Sequence, residues 1–473
     1  MILMASEPLF LAYNGILPTA CIQGIQKGEG MQLEAKRGAP WPLKDFFHGL
    51  LTKHRNGGAA IKILQADGRC AGAASVGRSK QDWRIPPPVC NMEAKPMKRT
   101  LMSPSLLPIY DKVAAGGRID DDDARLLYAS KEINQIGAIA NLVRERKNGN
   151  VATYILNRYI NYSNVCILSC QFCAFSARKR DPHAFEMAIP EIVEAVREEL
   201  ERGITEIHMV GGLHPSLKKE WYLEVLSSLR SLDPKLHIKS FTAIEIRHLA
   251  ERVFKLPIEE TLARLREAGL GSLTGGGAEI FDEGVRDKIC RGKESGDEWL
   301  EVHRTWHRMG GRSTSTMLYG HIETIDHRID HLRRLRALQD ETGGFTGFVP
   351  YAFVPETTEM AHIKPATGFE ELRNLAISRI YLDNFDHITA YWISLGLPLA
   401  QIALNYGVDD LHGTIREEKI FHMAGANTPQ EQAVAALEDA IREAGRVPMQ
   451  RDSYYGRIGA EMAPAFSESG ALA

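Results

Sequence analysis

Three cysteines stand close together in the sequence, at Cys166, Cys170 and Cys173. Their C-x3-C-x2-C spacing puts three thiolates on one short loop, where they can bind three corners of an iron–sulfur cube. A structural [4Fe–4S] site uses four cysteines, so three leave one iron with an open coordination position. The motif therefore predicts a [4Fe–4S] cluster whose free iron binds the amino and carboxylate groups of S-adenosylmethionine (SAM). Reduction would then release a 5′-deoxyadenosyl radical.

The alternative is a zinc site in which a histidine such as His183 supplies the fourth ligand, since Cys3His sites are common. The aromatic Phe172 directly precedes the last cysteine, and the loop follows a predicted strand; both features favour the cluster. We predict that Phe172 belongs to the cofactor-binding residues. Cys290 lies in a predicted helix far along the chain and is interpreted as a small buried apolar residue.

Apolar segments of β type alternate with amphipathic helices after residue 150, a pattern typical of parallel strands with crossover helices. The sequence predicts an α/β fold built on a partial (β/α)6 barrel of the TIM type. The predicted strands lie near 155–162, 204–210, 236–241, 271–274, 313–319 and 345–350, with a possible further strand at 387–392. The helices between them are predicted at 190–202, 218–232, 258–267, 297–308 and 326–339. In such barrels the loops at the carboxyl ends of the strands carry the site.

Small and polar residues follow the second and third predicted strands. Gly211 and Gly212 lack side chains, which lets backbone groups approach a ligand closely, and we predict that they bind the SAM amino group. A plain tight turn is the competing interpretation. Ser240, Thr242 and Glu245 are predicted to bind a ribose or a methionine carboxylate, and a helix-capping role stays open beside that.

Two histidines lie in predicted strand-exit loops, at His214 and His321, and are the candidate catalytic residues. A histidine that only satisfies local backbone groups is the open alternative. Four other histidines form pairs with the i, i+4 spacing that can chelate a metal. These pairs lack the acidic pattern of H-E-x-x-H, so we predict that they lie on solvated helix faces. The pairs are His303/His307 and His327/His331.

The chain divides into four predicted regions. Residues 1–97 show no sustained helical or alternating pattern of apolar residues, and they contain 12 Lys and Arg against 7 Asp and Glu. We predict that this stretch is disordered or a spurious translated leader, with a nucleic-acid-binding arm as the alternative. Residues 98–150 form a helical prelude, residues 151–367 the barrel core, and residues 368–473 a mostly helical C-terminal cap.

The composition is that of a globular protein, 44% hydrophobic and 25% charged, without a run of 18 apolar residues that could cross a membrane. A net charge of −3 gives no general attraction to nucleic acid. Seven cysteines are too few for a disulfide framework in a chain of this size, and their odd number excludes complete pairing. These features predict a reducing, cytoplasmic environment.

Several longer motifs carry a resemblance to a known family over about residues 98–457. The chain resembles the aminofutalosine synthases of the futalosine route to menaquinone. Two sister families share several of the motifs: the dehypoxanthine futalosine cyclases and the larger subunit of deazaflavin synthase. Thr274 stands where the family has proline, and the leader before residue 98 is foreign to it. The motifs are CILSCQFCAF, HMVGGLHP, HIKSFTAIEI, GGGAEIF, TSTMLYGHIET, LRALQDETGGF, YLDNFDHITAYWISLG and EEKIFHMAGA.

This resemblance implies a radical addition in which SAM is consumed as a co-substrate. The adenosyl radical would attack the vinyl carbon of 3-[(1-carboxyvinyl)oxy]benzoate, and rearrangement with loss of a carboxyl group would give 6-amino-6-deoxyfutalosine. An electron donor such as flavodoxin or ferredoxin is implied as partner. A dianionic substrate needs basic or amide groups at the barrel mouth. The candidates for them are His214, Arg312, His321 and Asn384.

Two rival functions stay open on the sequence. In the cyclase, the same radical abstracts hydrogen instead of adding to a double bond. A protein of another class would hold zinc or a cluster without catalysis.

Overall fold

The computed structural model describes residues 99–458 and, nearer the N-terminus, the backbone of five short strands. The chain divides into two compact units, Met1–Cys90 and Asn91–Ala473. The short strands pair antiparallel, as one three-stranded sheet and one two-stranded sheet. The rest of residues 1–98 lies outside the described residues, so the predicted disordered or spurious leader stays a prediction. The strands are Leu9–Phe10, Cys21–Lys27, Gly30–Ala35, Ala60–Leu64 and Cys70–Ser75.

Three helices precede the barrel: α1 (Leu107–Ala114), α2 (Asp121–Ala129) and α3 (Ile133–Asn148). Helix α2 begins at a capping box, in which the Asp120 carboxylate accepts a hydrogen bond from the Asp123 N–H at 3.0 Å. Acidic side chains at that end also interact favourably with the positive end of the helix dipole. The local sequence therefore explains where α2 starts.

Eight strands follow within residues 99–458, and their ladders are parallel. Ladders join β2 to β3 to β4, β5 to β6, and β1 to both β7 and β8. Single parallel bridges connect these groups through Ser272 and Leu273 between β4 and β5, and through Ile388 and Thr389 between β6 and β7. The strands are β1 (Val151–Ile155), β2 (Asn157–Asn161), β3 (Glu206–Val210), β4 (His237–Ser240), β5 (Ser313–Tyr319), β6 (Phe345–Ala352), β7 (Asp410–Gly413) and β8 (Val447–Gln450).

Helices connect successive strands, and a π-helical turn, Leu249–Phe254, continues α6. Crossover helices such as α4 and α5 bury their apolar side and expose their polar side, as expected for amphipathic helices. None of the helices in the described part of the chain is long and apolar enough to cross a bilayer. The helices are α4 (Ile189–Leu200), α5 (Lys219–Leu232), α6 (Ala243–His248), α7 (Ile258–Ala268), α8 (Glu283–Ile289), α9 (Gly296–Arg308), α10 (Ile325–Thr342), α11 (Gly368–Tyr381), α12 (Trp392–Leu395), α13 (Leu397–Ala403), α14 (Ile420–Ala424) and α15 (Val434–Glu443).

The predicted α/β fold with a TIM-like barrel is confirmed, and each of the six predicted strands has a counterpart in the parallel ladder. The pairing also continues past the sixth strand through Ile388, Thr389 and β7 to β1, which adds parallel segments to the predicted partial barrel. The region after residue 367 therefore contributes strands as well as the predicted helices α11 to α15.

Three of the four paired histidines are buried, so the prediction of solvated helix faces is wrong for them. His303 and His307 lie on the barrel side of α9, and a ring nitrogen of each is 2.8 Å from Ser313 Oγ. His331 stacks on Phe281 with ring centroids 3.9 Å apart. Burial lowers the pKa of His307 and of His331 to about 3, which keeps both rings neutral.

A buried ion pair fastens α11 to the closing segments of the barrel. Arg379 and Asp409 are fully buried and form this pair. The Arg379 guanidinium also donates to Gly407 O at 2.7 Å and to Phe385 O at 3.1 Å. Asp409 accepts from the Ile388 N–H at 2.8 Å. The pair thus holds the segment that links β6 to β7.

Arg379→Met is expected to lower the free energy of unfolding by about 3–5 kcal/mol, because it leaves the Asp409 carboxylate buried without its cation. Urea unfolding measures the change. The matched control is Arg333→Met on the exposed face of α10, which is expected to shift stability by less than about 0.5 kcal/mol. Equal stabilities of the two variants would contradict this account of the pair.

Candidate active site

The cysteine loop follows β2 and is held in place by backbone hydrogen bonds. The Cys166 N–H donates to Ala177 O at 2.9 Å, and the Ile167 N–H donates to Leu213 O, beyond β3, at 3.1 Å. The Gln171 N–H donates to Ile289 O at the end of α8 at 2.8 Å. The loop is therefore fixed to two neighbouring barrel elements before any ligand binds.

All three cysteine thiols are free, half-buried and line one cavity of about 260 Å³ at the carboxyl ends of the strands. Within residues 99–458 no fourth cysteine lines it, and no three metal-binding side chains converge on one ion. Three ligands of a cube bind three different irons and need not meet at one point. The donor set of three cysteines therefore fits a [4Fe–4S] cluster with one free iron.

Burial raises the pKa of the Cys170 thiol and of the Cys173 thiol, and the nearby Lys293 ammonium opposes the rise at both. A thiol must lose its proton to bind iron, so cluster insertion has to release protons from this loop.

Two glycines allow the end of β3 to pack directly on the cysteine loop. A Cβ at Gly212 would lie 2.5 Å from Val165 O, and a Cβ at Gly211 would lie 2.6 Å from the Tyr162 ring. The Gly212 N–H donates to Ser163 O at 2.7 Å. Both glycines line the cavity, as binding of the SAM amino group requires; that role stays a prediction.

Glu245 lines the cavity and accepts hydrogen bonds from several neighbouring elements. Its carboxylate accepts from the Thr242 N–H and hydroxyl, both at 2.8 Å, which caps α6. It also accepts from Tyr162 Oη at 2.9 Å and from the Gly211 N–H at 3.1 Å. Burial raises the pKa of Glu245, while these donors oppose the rise. The helix-capping interpretation thus applies to Glu245 and Thr242, although both line the cavity.

Ser240 is placed away from the cavity. It is fully buried at the end of β4, and its hydroxyl donates to Met209 O at 2.8 Å. It does not belong to the cavity lining, so its predicted role in binding the cofactor has no contact that supports it.

The two candidate catalytic histidines lie outside the cavity lining. His214 Nδ1 accepts from the Ser216 and Leu217 N–H groups, at 3.2 and 3.1 Å. His321 Nδ1 accepts from the Ile322 N–H at 2.7 Å. Burial lowers the pKa of both rings. The local-backbone interpretation describes both residues, and their catalytic role stays a prediction without a contact to the cavity.

Two further residues that were predicted to contact the substrate, Arg312 and Asn384, lie at the opposite end of the barrel from the cavity. Arg312 directly precedes β5, and Asn384 follows α11 and donates to Asp340 Oδ1 at 2.7 Å. Loops that follow helices lie at the amino ends of the strands, opposite the cavity. These side chains therefore cannot contact a substrate bound near the cysteines.

Relatives of known function match nearly their whole length to this chain. It is 44% identical to the aminodeoxyfutalosine synthase of Thermus thermophilus, over 76% of this chain and 98% of that protein. Residues 160–335 match the profile of the radical SAM superfamily, and residues 342–461 match the CofH/MqnC C-terminal region. The chain belongs to the radical SAM superfamily. The resemblance to the aminofutalosine synthases is confirmed.

Other relatives of this radical SAM enzyme are nearly as similar. It is 42% identical to the cyclic dehypoxanthine futalosine synthase of Streptomyces coelicolor, over 75% of this chain and 89% of that protein. It is 40% identical to the 5-amino-6-(D-ribitylamino)uracil–L-tyrosine 4-hydroxyphenyl transferase of Methanoculleus marisnigri, over 76% of this chain and 99% of that protein. Family membership implies a [4Fe–4S] cluster, SAM, a small-molecule substrate and a reductant.

Solved structures share the fold at low sequence identity. Methylornithine synthase superposes with a TM-score of 0.59 at 20% identity, over 72% of this chain and 97% of that chain. The hydrogenase maturase HydG from Carboxydothermus hydrogenoformans superposes with a TM-score of 0.58 at 16% identity, over 74% and 80%. These similarities show the fold alone.

One wall of the cavity of this radical SAM enzyme was not foreseen from the sequence. Lys293 and Glu279 form a buried ion pair in the region after the fourth strand segment. The Lys293 ammonium lies 5.5 Å from the centroid of the Phe172 ring, which also lines the cavity. Lys293 contributes an ammonium group beside the cysteines, its charge is balanced by Glu279, and no motif in the sequence indicated the pair.

Proposed function

We propose that this enzyme transfers the 5′-deoxyadenosyl group of SAM to the vinyl carbon of 3-[(1-carboxyvinyl)oxy]benzoate. Rearrangement onto the ring and decarboxylation would give 6-amino-6-deoxyfutalosine, and methionine would leave. The proposal rests on the 44% identity to an aminodeoxyfutalosine synthase over 98% of that protein's length.

The chain's own residues have definable tasks in this reaction. Cys166, Cys170 and Cys173 would hold the cluster, and the bound cluster supplies the electron that cleaves SAM. Apolar side chains of the cavity, including Phe172 and Phe353, exclude water from that space. The cavity would hold the double bond near C5′, and orientation decides whether the radical adds or is quenched.

A low-potential electron donor is part of the proposal, and flavodoxin or ferredoxin is the partner that we propose. The cysteine loop faces one cavity on its inner side, so an electron must arrive through protein or from the outer side of the loop. The identity of the electron donor does not affect which substrate we propose for the enzyme.

The second candidate is the cyclase reaction, because the identity to the cyclic dehypoxanthine futalosine synthase is 42%. An anaerobic assay with SAM and a reductant separates the two. We expect the enol-ether benzoate to be converted to a product that retains adenine, and dehypoxanthine futalosine to stay unchanged. Free 5′-deoxyadenosine together with a cyclised product would overturn the proposal. The control omits the reductant and should form neither product.

A further inference from the structure

Polar side chains form the deep end of the cavity, inside the barrel. Tyr159 on β2 is the register partner of His208 on β3, which in turn is the register partner of Lys239 on β4. Register partners project from the same face of a sheet, and all three residues line the cavity. Tyr159 and His208 lie two residues before the ends of their strands, about 7 Å below the start of the cysteine loop.

Lys239 is a buried cation without a hydrogen-bond acceptor among the described residues. Its exposed fraction is 8%, and its ammonium makes no hydrogen bond or ion pair with any residue in 99–458. Burial lowers its pKa, and the charge of the buried Glu206 carboxylate, whose Oε2 also lacks a hydrogen bond within residues 99–458, opposes the shift. A buried ammonium that lacks hydrogen-bond acceptors is costly, so its position at a cavity indicates that an anionic ligand completes it.

Two histidine rings line the same end, and within residues 99–458 Nε2 of His208 is neither hydrogen-bonded nor fully buried. His412 is 5% exposed; its Nε2 is 3.2 Å from Tyr159 Oη, whereas its Nδ1 is buried without a partner in the described chain. His208 stacks on Tyr159 with ring centroids 4.3 Å apart, and neither of its ring nitrogens hydrogen-bonds within residues 99–458. Burial lowers the pKa of both rings, that of His412 to about 3, so each is neutral, and His208 can donate one N–H through Nε2.

We propose that Lys239 and His208 form a carboxylate subsite at the deep end of the cavity, beside His412, and that it holds the ring carboxylate of the aryl substrate. This assignment rests on the function proposed above. The enol carboxylate is attached beside the carbon that must meet C5′, so it stays near the cysteines. The ring carboxylate lies at the other end of the molecule, where the chain supplies one cation and one N–H donor, Nε2 of His208.

A binding experiment tests the subsite without turnover. Benzoate is titrated calorimetrically into the anaerobic protein with its cluster reconstituted, and methyl benzoate serves as the uncharged probe. Lys239→Met is expected to weaken benzoate binding by about 30-fold, as loss of a charged hydrogen bond does, and to leave methyl benzoate unaffected. Lys235→Met, an exposed lysine in the loop before β4, is the matched control and should bind benzoate like the wild type.

A second variant protects the test against a folding defect. His208→Phe keeps the ring stacked on Tyr159 but removes both nitrogens, and it is expected to weaken benzoate binding by about 10-fold with an unchanged melting temperature. If both variants bind benzoate as the wild type does, the subsite is wrong.

Kinetics connect the subsite to the substrate. The wild type should prefer the enol-ether benzoate over 2-phenoxyacrylate, which lacks the ring carboxylate. Lys239→Met should reduce the ratio of the two kcat/KM values about 30-fold, because it raises KM for the enol-ether benzoate. An unchanged preference would overturn the assignment of the ring carboxylate. Failure of the wild type to convert the enol ether would instead overturn the proposed function, while benzoate binding would still report on the subsite.

Discussion

Cys170→Ala is expected to lower product formation by at least about 1,000-fold and to lower the iron bound after anaerobic reconstitution. The residue is one of only three thiols that line the cavity among the described residues, so its loss leaves two ligands for a cluster that needs three. The cofactor carries the difficult chemistry, and a protein that cannot hold it has no alternative route. Iron and sulfide per chain, visible absorbance and product formation are measured together.

Cys290→Ala is the matched control for this variant. Cys290 is buried at the end of α8 and lies outside the cavity lining. Its replacement should leave iron content unchanged and turnover within about threefold of the wild type, because it removes only a small buried group. Turnover that persists in Cys170→Ala, or iron that is lost from Cys290→Ala, would show that the ligand assignment is wrong.

Gly212→Ala is expected to lower product formation by about 100-fold, the second largest effect of a single substitution. The new Cβ would lie 2.5 Å from Val165 O, which is backbone and cannot turn away. Either the cysteine loop or the end of β3 must move, and small displacements of reacting groups cost about this factor. Overpacking should also lower the free energy of unfolding by about 1–3 kcal/mol.

Gly368→Ala provides the comparison at a glycine with room for a side chain. A Cβ there would meet Leu399 at 3.6 Å, an ordinary contact, at the start of α11. We expect turnover equal to that of the wild type and a stability change below about 0.5 kcal/mol. Single-turnover assays and urea unfolding are run on both variants. Full activity in Gly212→Ala would mean that the two loops do not depend on this close approach.

Local pattern was sufficient to predict much of the barrel from the sequence. The segment around β5 is seven residues long and fully buried, and amphipathic α9 begins at a capping box on Ser295 and Glu298, so both have strong local signals. The later closing segments have weaker signals: β7 has four residues, and the bridge at Ile388 and Thr389, within the possible strand predicted at 387–392, has two. The β7 segment was not predicted, because so short a strand is recognised only by its partners in space.

The residues of the candidate site also differ in whether the sequence alone could predict them. Cys166 to Cys173 could be predicted because the cluster needs a spacing that the chain itself displays. The deep subsite depends on the register that aligns His208 with Lys239, and no motif encodes a register between separate strands. The one available signal was a charged or polar residue in the middle of an apolar strand. His214 and His321 follow strands but lie outside the cavity lining, because a strand-exit position does not fix where a side chain points, and their catalytic role stays a prediction.

The fate of the adenosyl group tests the central claim most directly. SAM carrying carbon-13 in its ribose is incubated anaerobically with the reduced enzyme and 3-[(1-carboxyvinyl)oxy]benzoate, and the products are separated and identified by mass and NMR. The account predicts that the label and the adenine both appear in 6-amino-6-deoxyfutalosine, with one methionine released per product. Recovery of the label only as free 5′-deoxyadenosine, with the benzoate unchanged, would contradict it.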